Sequence, residues 1–281
     1  MTGSDNSDRQ ASDGLEIARD DFPRGDFRAA IFDFDGTLSL LRRNWQDTMI
    51  PMMVDVLSET GTSETREELY AVVEDFVMRL NGRQTIYQMM QLADEVRRRG
   101  GEPREPLEYK HQYHDLLWRE VGVRIDDVRC GRVPPEVMTV PGSRGLLQRL
   151  QKAGLTLYLA SGTDLKYVRD EVALLGLDEF FGSHIYGALD DYKQFSKAMI
   201  IHRMIEDTGL PGRHIVAFGD GFVEIEETRK VGGLAIGVAS NETTRVGIND
   251  WKRNRLITAG ADLIIGDYRC LDNLMQLIGI P

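Results

Sequence analysis

Cysteine is scarce: Cys130 and Cys270 are the only two in 281 residues. They stand far apart, with neither the paired spacing of a zinc site nor a disulfide framework, so a reducing, cytoplasmic setting is expected. No apolar run approaches the roughly 20 residues that cross a bilayer, so no membrane association is expected. The amino terminus is polar and acidic and lacks the apolar stretch of a secretory signal. Basic charge is also short, with 34 Lys and Arg against 45 Asp and Glu and a net charge of -11. That balance argues against an electrostatic grip on a nucleic-acid backbone. It leaves room for a small phosphorylated ligand, because a bound cation and a few local lysines can reverse the field at one site. The remainder, 42% hydrophobic and 28% charged, is ordinary globular composition.

What the chain does have is concentrated in the run Ile31-Phe32-Asp33-Phe34-Asp35-Gly36-Thr37-Leu38. Apolar residues reading into two acids and a glycine predict a buried parallel strand that ends in a turn. In open α/β sheets the crevice at the carboxyl ends of the strands is where ligands sit. A period of two points Asp33 and Asp35 the same way, and two like charges held close favour a cation beside them. Mg²⁺, a hard ion that takes oxygen ligands, fits that description.

The chain divides into three stretches. Residues 1–26, rich in Ser, Asp and Gly, read as a disordered acidic tail. A strand is predicted over 28–34 and the next convincing one over 155–160. The hundred residues between them are rich in helix formers, with helices predicted over 45–57, 63–80, 85–99 and 106–120. This block, residues 41–140, is too long for one crossover and reads as a helical insertion of its own. From 155 onward strands (155–160, 184–186, 214–218, 234–238, 262–265) alternate with helices (164–175, 196–208, 223–231, 249–259, 271–278). That alternation predicts an α/β fold with a doubly wound parallel sheet, its core made of residues 27–40 and 141–281.

Further polar residues stand at the ends of the later strands. Ser161 and Gly162 close the 155–160 strand, where a hydroxyl and backbone N–H groups can meet a phosphoryl oxygen. The simpler alternative is a helix cap by Ser161 or Thr163. Lys193 and Lys197 flank Ser196, a plausible N-cap that places Lys197 on an opening helical turn. Gly219-Asp220 ends the 214–218 strand, and Glu224 follows four residues on, with Glu226 and Glu227 as alternatives. An acidic first turn favoured by the helix dipole would account for these acids without a site.

Taken in order, these segments resemble the four motifs of the haloacid dehalogenase superfamily, whose first motif is D-x-D-G-T. The resemblance covers the whole core and departs from the family pattern in one respect: the last acid of the fourth motif is Glu224 rather than Asp. It implies a Rossmann-like core with a helical cap inserted after the first motif, and Asp33 as nucleophile with Asp35 as general acid and base. It further implies Ser161, Gly162 and Thr37 around the phosphate, and Lys197, with Lys193 as the alternative, neutralising its charge. Mg²⁺ would be held by Asp33, the backbone of Asp35, Asp220 and Glu224. Arg42 and Arg43, past the hinge with Trp45, and Arg83 in the loop Asn81-Gly82-Arg83-Gln84 are cap candidates for an anionic substrate group. An acid at position 35 separates the chain from dehalogenases, whose halide leaving group needs no proton. The implied activity is therefore phosphomonoester hydrolysis of a small phosphorylated metabolite. A sugar phosphomutase shares every one of these residues, and a non-catalytic binding module keeping the fold is the reading from another class.

Overall fold

The computed structural model describes residues 14–189 and 191–281. In chain order the elements are β1 (Leu15–Ile17), β2 (Ala29–Phe32), α1 (Gln46–Ser58), α2 (Arg66–Arg79), α3 (Thr85–Arg98), α4 (Pro106–Arg129) and α5 (Ser143–Lys152). They continue with β3 (Thr156–Asp164), α6 (Leu165–Leu174), α7 (Asp178–Phe181), β4 (Ile185–Ala188), α8 (Lys197–Thr208) and β5 (Ile215–Gly219). The chain closes with α9 (Phe222–Lys230), β6 (Leu234–Val238), α10 (Asp250–Thr258), β7 (Leu263–Ile265) and α11 (Leu271–Ile278).

The strands form one seven-stranded sheet in the order β1-β7-β6-β5-β2-β3-β4. All neighbours are parallel except β1, which runs antiparallel to β7. The expected α/β fold with a doubly wound parallel sheet is therefore present. The strand order reverses at β2, which lies between β5 and β3 and opens a crevice at their carboxyl ends.

Alternation along β2 shows why this short strand is so apolar. Ala30 and Phe32 join the core on one face, and Ala29 and Ile31 join the core on the other. Phe32 stacks on Phe218 of β5 with centroids 4.7 Å apart and planes 3° apart, which fixes the two strand ends that carry the chemistry.

Helices α1 to α4 fall between β2 and β3, and the chain enters and leaves them through a bridge of Ser39 with Thr139. Their sequence accounts for their ends. Thr65 and Glu68 form a reciprocal capping box at the start of α2, so the helix begins at Arg66 and not at Ser63. Pro106 sits at the first turn of α4, where its missing N–H costs nothing. This helix runs to Arg129, nine residues past the expected end, because Leu117, Val121, Ile125 and Val128 prolong its buried stripe.

One expectation is corrected outright. The tail's composition predicts disorder through residue 26, yet Leu15–Ile17 pairs residue for residue with Ile265–Leu263. Leu15 and Phe22 are buried against the sheet. Residues 1–13 of that tail lie outside the described residues.

Candidate active site

The crevice collects side chains from the ends of β2, β3 and β5 and from the first turn of α8. Asp33 directly follows β2 and stays in register, its N–H donating to the Phe218 carbonyl at 2.9 Å. Its Oδ1 accepts from the Phe34 N–H at 2.8 Å. The chain then turns at Gly36, whose φ of +75° favours glycine. A Cβ there would stand 2.3 Å from Asp220 Oδ2, so only glycine lets the turn lie against that carboxylate.

Lys197 opens α8 behind its N-cap Ser196, which accepts from the Met199 N–H. Its ammonium lies 2.9 Å from Asp33 Oδ2 and 2.8 Å from Glu224 Oε2. Burial alone would push this lysine down, but the two carboxylates outweigh it and hold the ammonium above the usual lysine range. Lys193 instead sits exposed on a short 3₁₀ turn, Tyr192–Gln194.

Burial pushes the Asp33 carboxyl well above the usual carboxylate range; Lys197 opposes this, while Glu224 and Asp220 add to it. The same force pushes Asp35 up to about 6, against the pull of Arg42. Asp35 Oδ2 accepts from Thr163 Oγ at 2.8 Å and from Ser161 Oγ at 3.4 Å. Its Oδ1 is buried without a hydrogen bond, the nearest cationic atom being Arg42 Nε at 3.9 Å.

Asp33, Asp220 and Glu224 each present a carboxylate oxygen within 4.8 Å of one another. A trio of hard oxygen donors at that spacing suits Mg²⁺. Both Glu224 oxygens accept, one from Lys197 and one from the Gly221 N–H at 2.8 Å, so this residue also holds the lysine and the loop, as Asp33 holds Lys197 and the Phe34 N–H. Asp35 is not part of the trio; its carboxylate faces Thr163 and Arg42.

The other sequence candidates separate. Ser161 is buried in β3, which runs on to Asp164 rather than ending at Ala160. A Cβ on Gly162 would meet the Arg83 carbonyl at 2.9 Å, and one on Gly221 would meet Gly82 Cα at 2.8 Å. The loop between α2 and α3 is thus pressed onto the end of β3 and the loop before α9, with Gln84 Nε2 donating to the Phe195 carbonyl at 2.7 Å. Arg83 lines a cavity of about 90 Å³ with Asp33, Asp35, Gly162, Lys197 and Asp220. An adjoining space of about 250 Å³ shares Gly82, Arg83, Gly162 and Lys197 and adds Tyr87, Phe195 and Phe222.

Arg42 borders the smaller cavity, but its fork is closed on Glu171, with Nη2 to Oε1 at 2.6 Å. It is therefore a buried counter-charge beside Asp35 and has little to offer a second anion. Arg43 does not line the cavity. Thr37 is buried in the turn, its carbonyl accepting from Tyr268 Oη at 2.9 Å.

Two buried residues of the site's surroundings, Glu171 and Lys252, escape sequence reasoning. Glu171 follows the apolar Val168 on the inner face of α6, and that stripe was the only available signal. Lys252 on α10 is buried against Asp220 Oδ2 at 2.7 Å. Its neighbourhood Asp250-Trp251-Lys252-Arg253-Asn254-Arg255 reads as a solvated helix face.

Comparison with known proteins agrees with this architecture. Solved structures that superpose include a predicted phosphoglycolate phosphatase from Haemophilus somnus, at 16% identity and TM-score 0.55, covering 90% of this chain and 99% of that one. A haloacid dehalogenase-like protein of unknown function from Agrobacterium tumefaciens matches at 18% identity and TM-score 0.57, covering 90% and 99%. A beta-phosphoglucomutase from Clostridium difficile matches at 12% identity and TM-score 0.57, covering 90% and 97%. At such identities the likeness is one of fold. No curated protein matches. No helix among the described residues is long and apolar enough to cross a membrane. The family description of a haloacid dehalogenase-like hydrolase matches residues 27–232, most of the chain and a span that holds Asp33, Asp35, Ser161, Lys197, Asp220 and Glu224, and the protein belongs to that family.

Proposed function

We propose that the protein is a Mg²⁺-dependent phosphomonoester hydrolase of the cytoplasm, acting on a small phosphorylated metabolite through an aspartyl-phosphate. Asp35 carries this reading. It is an acid two residues past the nucleophile, held up at about 6 and pinned through one oxygen by Thr163. A halide leaves without a proton, whereas an alkoxide needs one, so an acid poised near neutrality serves an oxygen leaving group.

The Asp33 carboxylate attacks phosphorus in line, and the bond to the leaving oxygen breaks as Asp35 gives that oxygen its proton. Asp35 then takes a proton from the water that attacks the phospho-aspartate, which frees phosphate and restores Asp33. Lys197 stays protonated between Asp33 and Glu224 and offsets charge on the transferring group. Mg²⁺ would be held by Asp33, Asp220 and the backbone carbonyl of Asp35, and would supply further positive charge to that group. Residues 41–140 act as the cap over a core of 27–40 and 141–281, with Arg83 facing the leaving group.

The second reading is a sugar phosphomutase, favoured by the close packing of the 81–84 loop on Gly162 and Gly221, since the two activities differ in whether the cap keeps water from the phospho-enzyme. The test is Mg²⁺-dependent phosphate release across sugar phosphates, phosphoglycolate-like acids, nucleotides and phospho-amino acids, beside Asp33→Asn. Release that is lost in the variant and with EDTA is the expected result. Isomer interconversion primed by a bisphosphate, with little free phosphate, would move the assignment to the mutase. Absence of turnover on every substrate, an activated aryl phosphate included, would overturn both.

A further inference from the structure

Lys252 is the best-anchored cation near the crevice that the mechanism leaves unused. It stands on the first turn of α10, where its N–H donates to the N-cap Asn249. Its side chain runs inward and is 5% exposed. The ammonium lies 2.7 Å from Asp220 Oδ2, 2.6 Å from Glu242 Oε1 and 3.2 Å from Ser240 Oγ. An ammonium has three donors, and all three are spent. Ser240 Oγ in turn donates to the Gly36 carbonyl at 2.5 Å, so the same cluster braces the turn that follows Asp35.

This arrangement suits neither substrate contact nor proton transfer. Lys252 does not line the cavity that holds Asp33 and Asp220. It touches only one of the two Asp220 oxygens. Three carboxylates stand within 4.8 Å of one another, and two ammonium groups serve them: Lys197 between Asp33 and Glu224, and Lys252 on Asp220.

We propose that Lys252 is a positioning residue for the divalent-ion site, fixing Asp220 through Oδ2, leaving Oδ1 for the ion, and by its charge keeping that ion exchangeable. The proposal rests on the reading of Asp33 and Asp220 as ion ligands. The sign follows from charge. An ion on the other oxygen of the same carboxylate faces a like charge a few ångströms away, in a site where water screens little. Removing the ammonium removes that repulsion and leaves Asp220 and Glu242 uncompensated, so a divalent ion gains more on binding. Loss of aim acts the other way but is worth only about one hydrogen bond to a charged group, which is the smaller effect.

The experiment is calorimetric titration of Mg²⁺ into the EDTA-stripped full chain, which needs no substrate. Lys252→Met keeps the length of the side chain and deletes its charge; at least about tenfold tighter Mg²⁺ binding is expected. Turnover should fall in the same variant as Asp220 loses its aim. Lys252→Arg restores the charge and should return the affinity to within about threefold of the wild type. Glu242→Gln keeps the ammonium but removes its second carboxylate, so Mg²⁺ should bind several-fold more weakly; this variant decides the matter if Lys252→Met does not fold. Equal or weaker Mg²⁺ binding in folded Lys252→Met, with only its melting temperature lowered, would show Lys252 to be a strut and overturn the proposal. A wild type that binds no Mg²⁺ would remove the ion site itself, and the proposal with it, which is a different failure from an unchanged variant.

Discussion

Asp35→Asn should do two opposite things: abolish turnover and make the protein more stable. Burial holds the Asp35 carboxyl at about 6 against an ordinary 3.8, so the folded protein carries a cost for ionising it. The difference is 2.2 pH units, or about 3 kcal/mol at neutral pH by linkage. The side chain keeps 22% of its surface exposed, so solvent screening makes this an upper bound. The sign is fixed by proton counts. Between the two values the folded state binds the proton more tightly than the unfolded chain does. Stability of the wild type therefore falls as the pH rises through that window and levels off above about 6. Asparagine cannot ionise, and its amide oxygen still accepts from Thr163, so the variant escapes the loss. For a chain of this size 3 kcal/mol corresponds to at most about 5 °C in melting temperature. Calorimetry in EDTA, from pH 4 to 8, is the assay, because a bound cation would mask the effect. The variant should match the wild type near pH 4 and melt higher above pH 6. A variant that melts lower at pH 7.5, or a difference that does not vary with pH, would refute the argument that burial holds this acid near neutrality.

Two other perturbations test the surroundings of the crevice. Arg42→Met strands Glu171, 1% exposed and bonded to it by a full fork, and should cost about 3–5 kcal/mol in urea unfolding. Adding Glu171→Gln should recover most of that, and an equal loss in single and double variants would show that the pair is not the cause. Gly162→Ala places a methyl 2.9 Å from the Arg83 carbonyl. Relieving that overlap by shifting the 81–84 loop costs about 1–3 kcal/mol, so the melting temperature should fall by up to about 5 °C, and KM should rise roughly fivefold to a hundredfold as Arg83 moves off the cavity. An unchanged KM would mean that the loop does not bear on the substrate.

The residues gathered in the crevice were legible where chemistry coincided with a strand end. Asp33, Ser161 and Asp220 each follow an apolar run, and neighbouring parallel strands in register bring such ends together. Lys197 stood out from Lys193 because Ser196 marks a helix start, and the first turn of that helix points at the crevice. What could not be read were groups whose meaning is wholly tertiary. A three-residue strand has no period to detect, so Leu15–Ile17 is indistinguishable from its polar surroundings until β7 is there to pair with it. Lys252 lies in a charged run, and only the packing of α10 against the 240–242 loop turns it inward. The extension of β3 past Ser161 depends on the pairing of Asp164 with Ala188 across an irregular register.

The short strand at the amino terminus also bears on how the protein is handled. It covers the outer edge of β7, three residues that are wholly buried, and Arg253 clamps Glu16 from α10. A chain trimmed to residue 27, where the family match begins, would keep every residue of the crevice and still uncover that edge. Bare backbone donors and acceptors on an apolar strand recruit other strands. The trimmed protein should therefore self-associate on concentration, and its loss of solubility would be mistaken for a failure of the catalytic core.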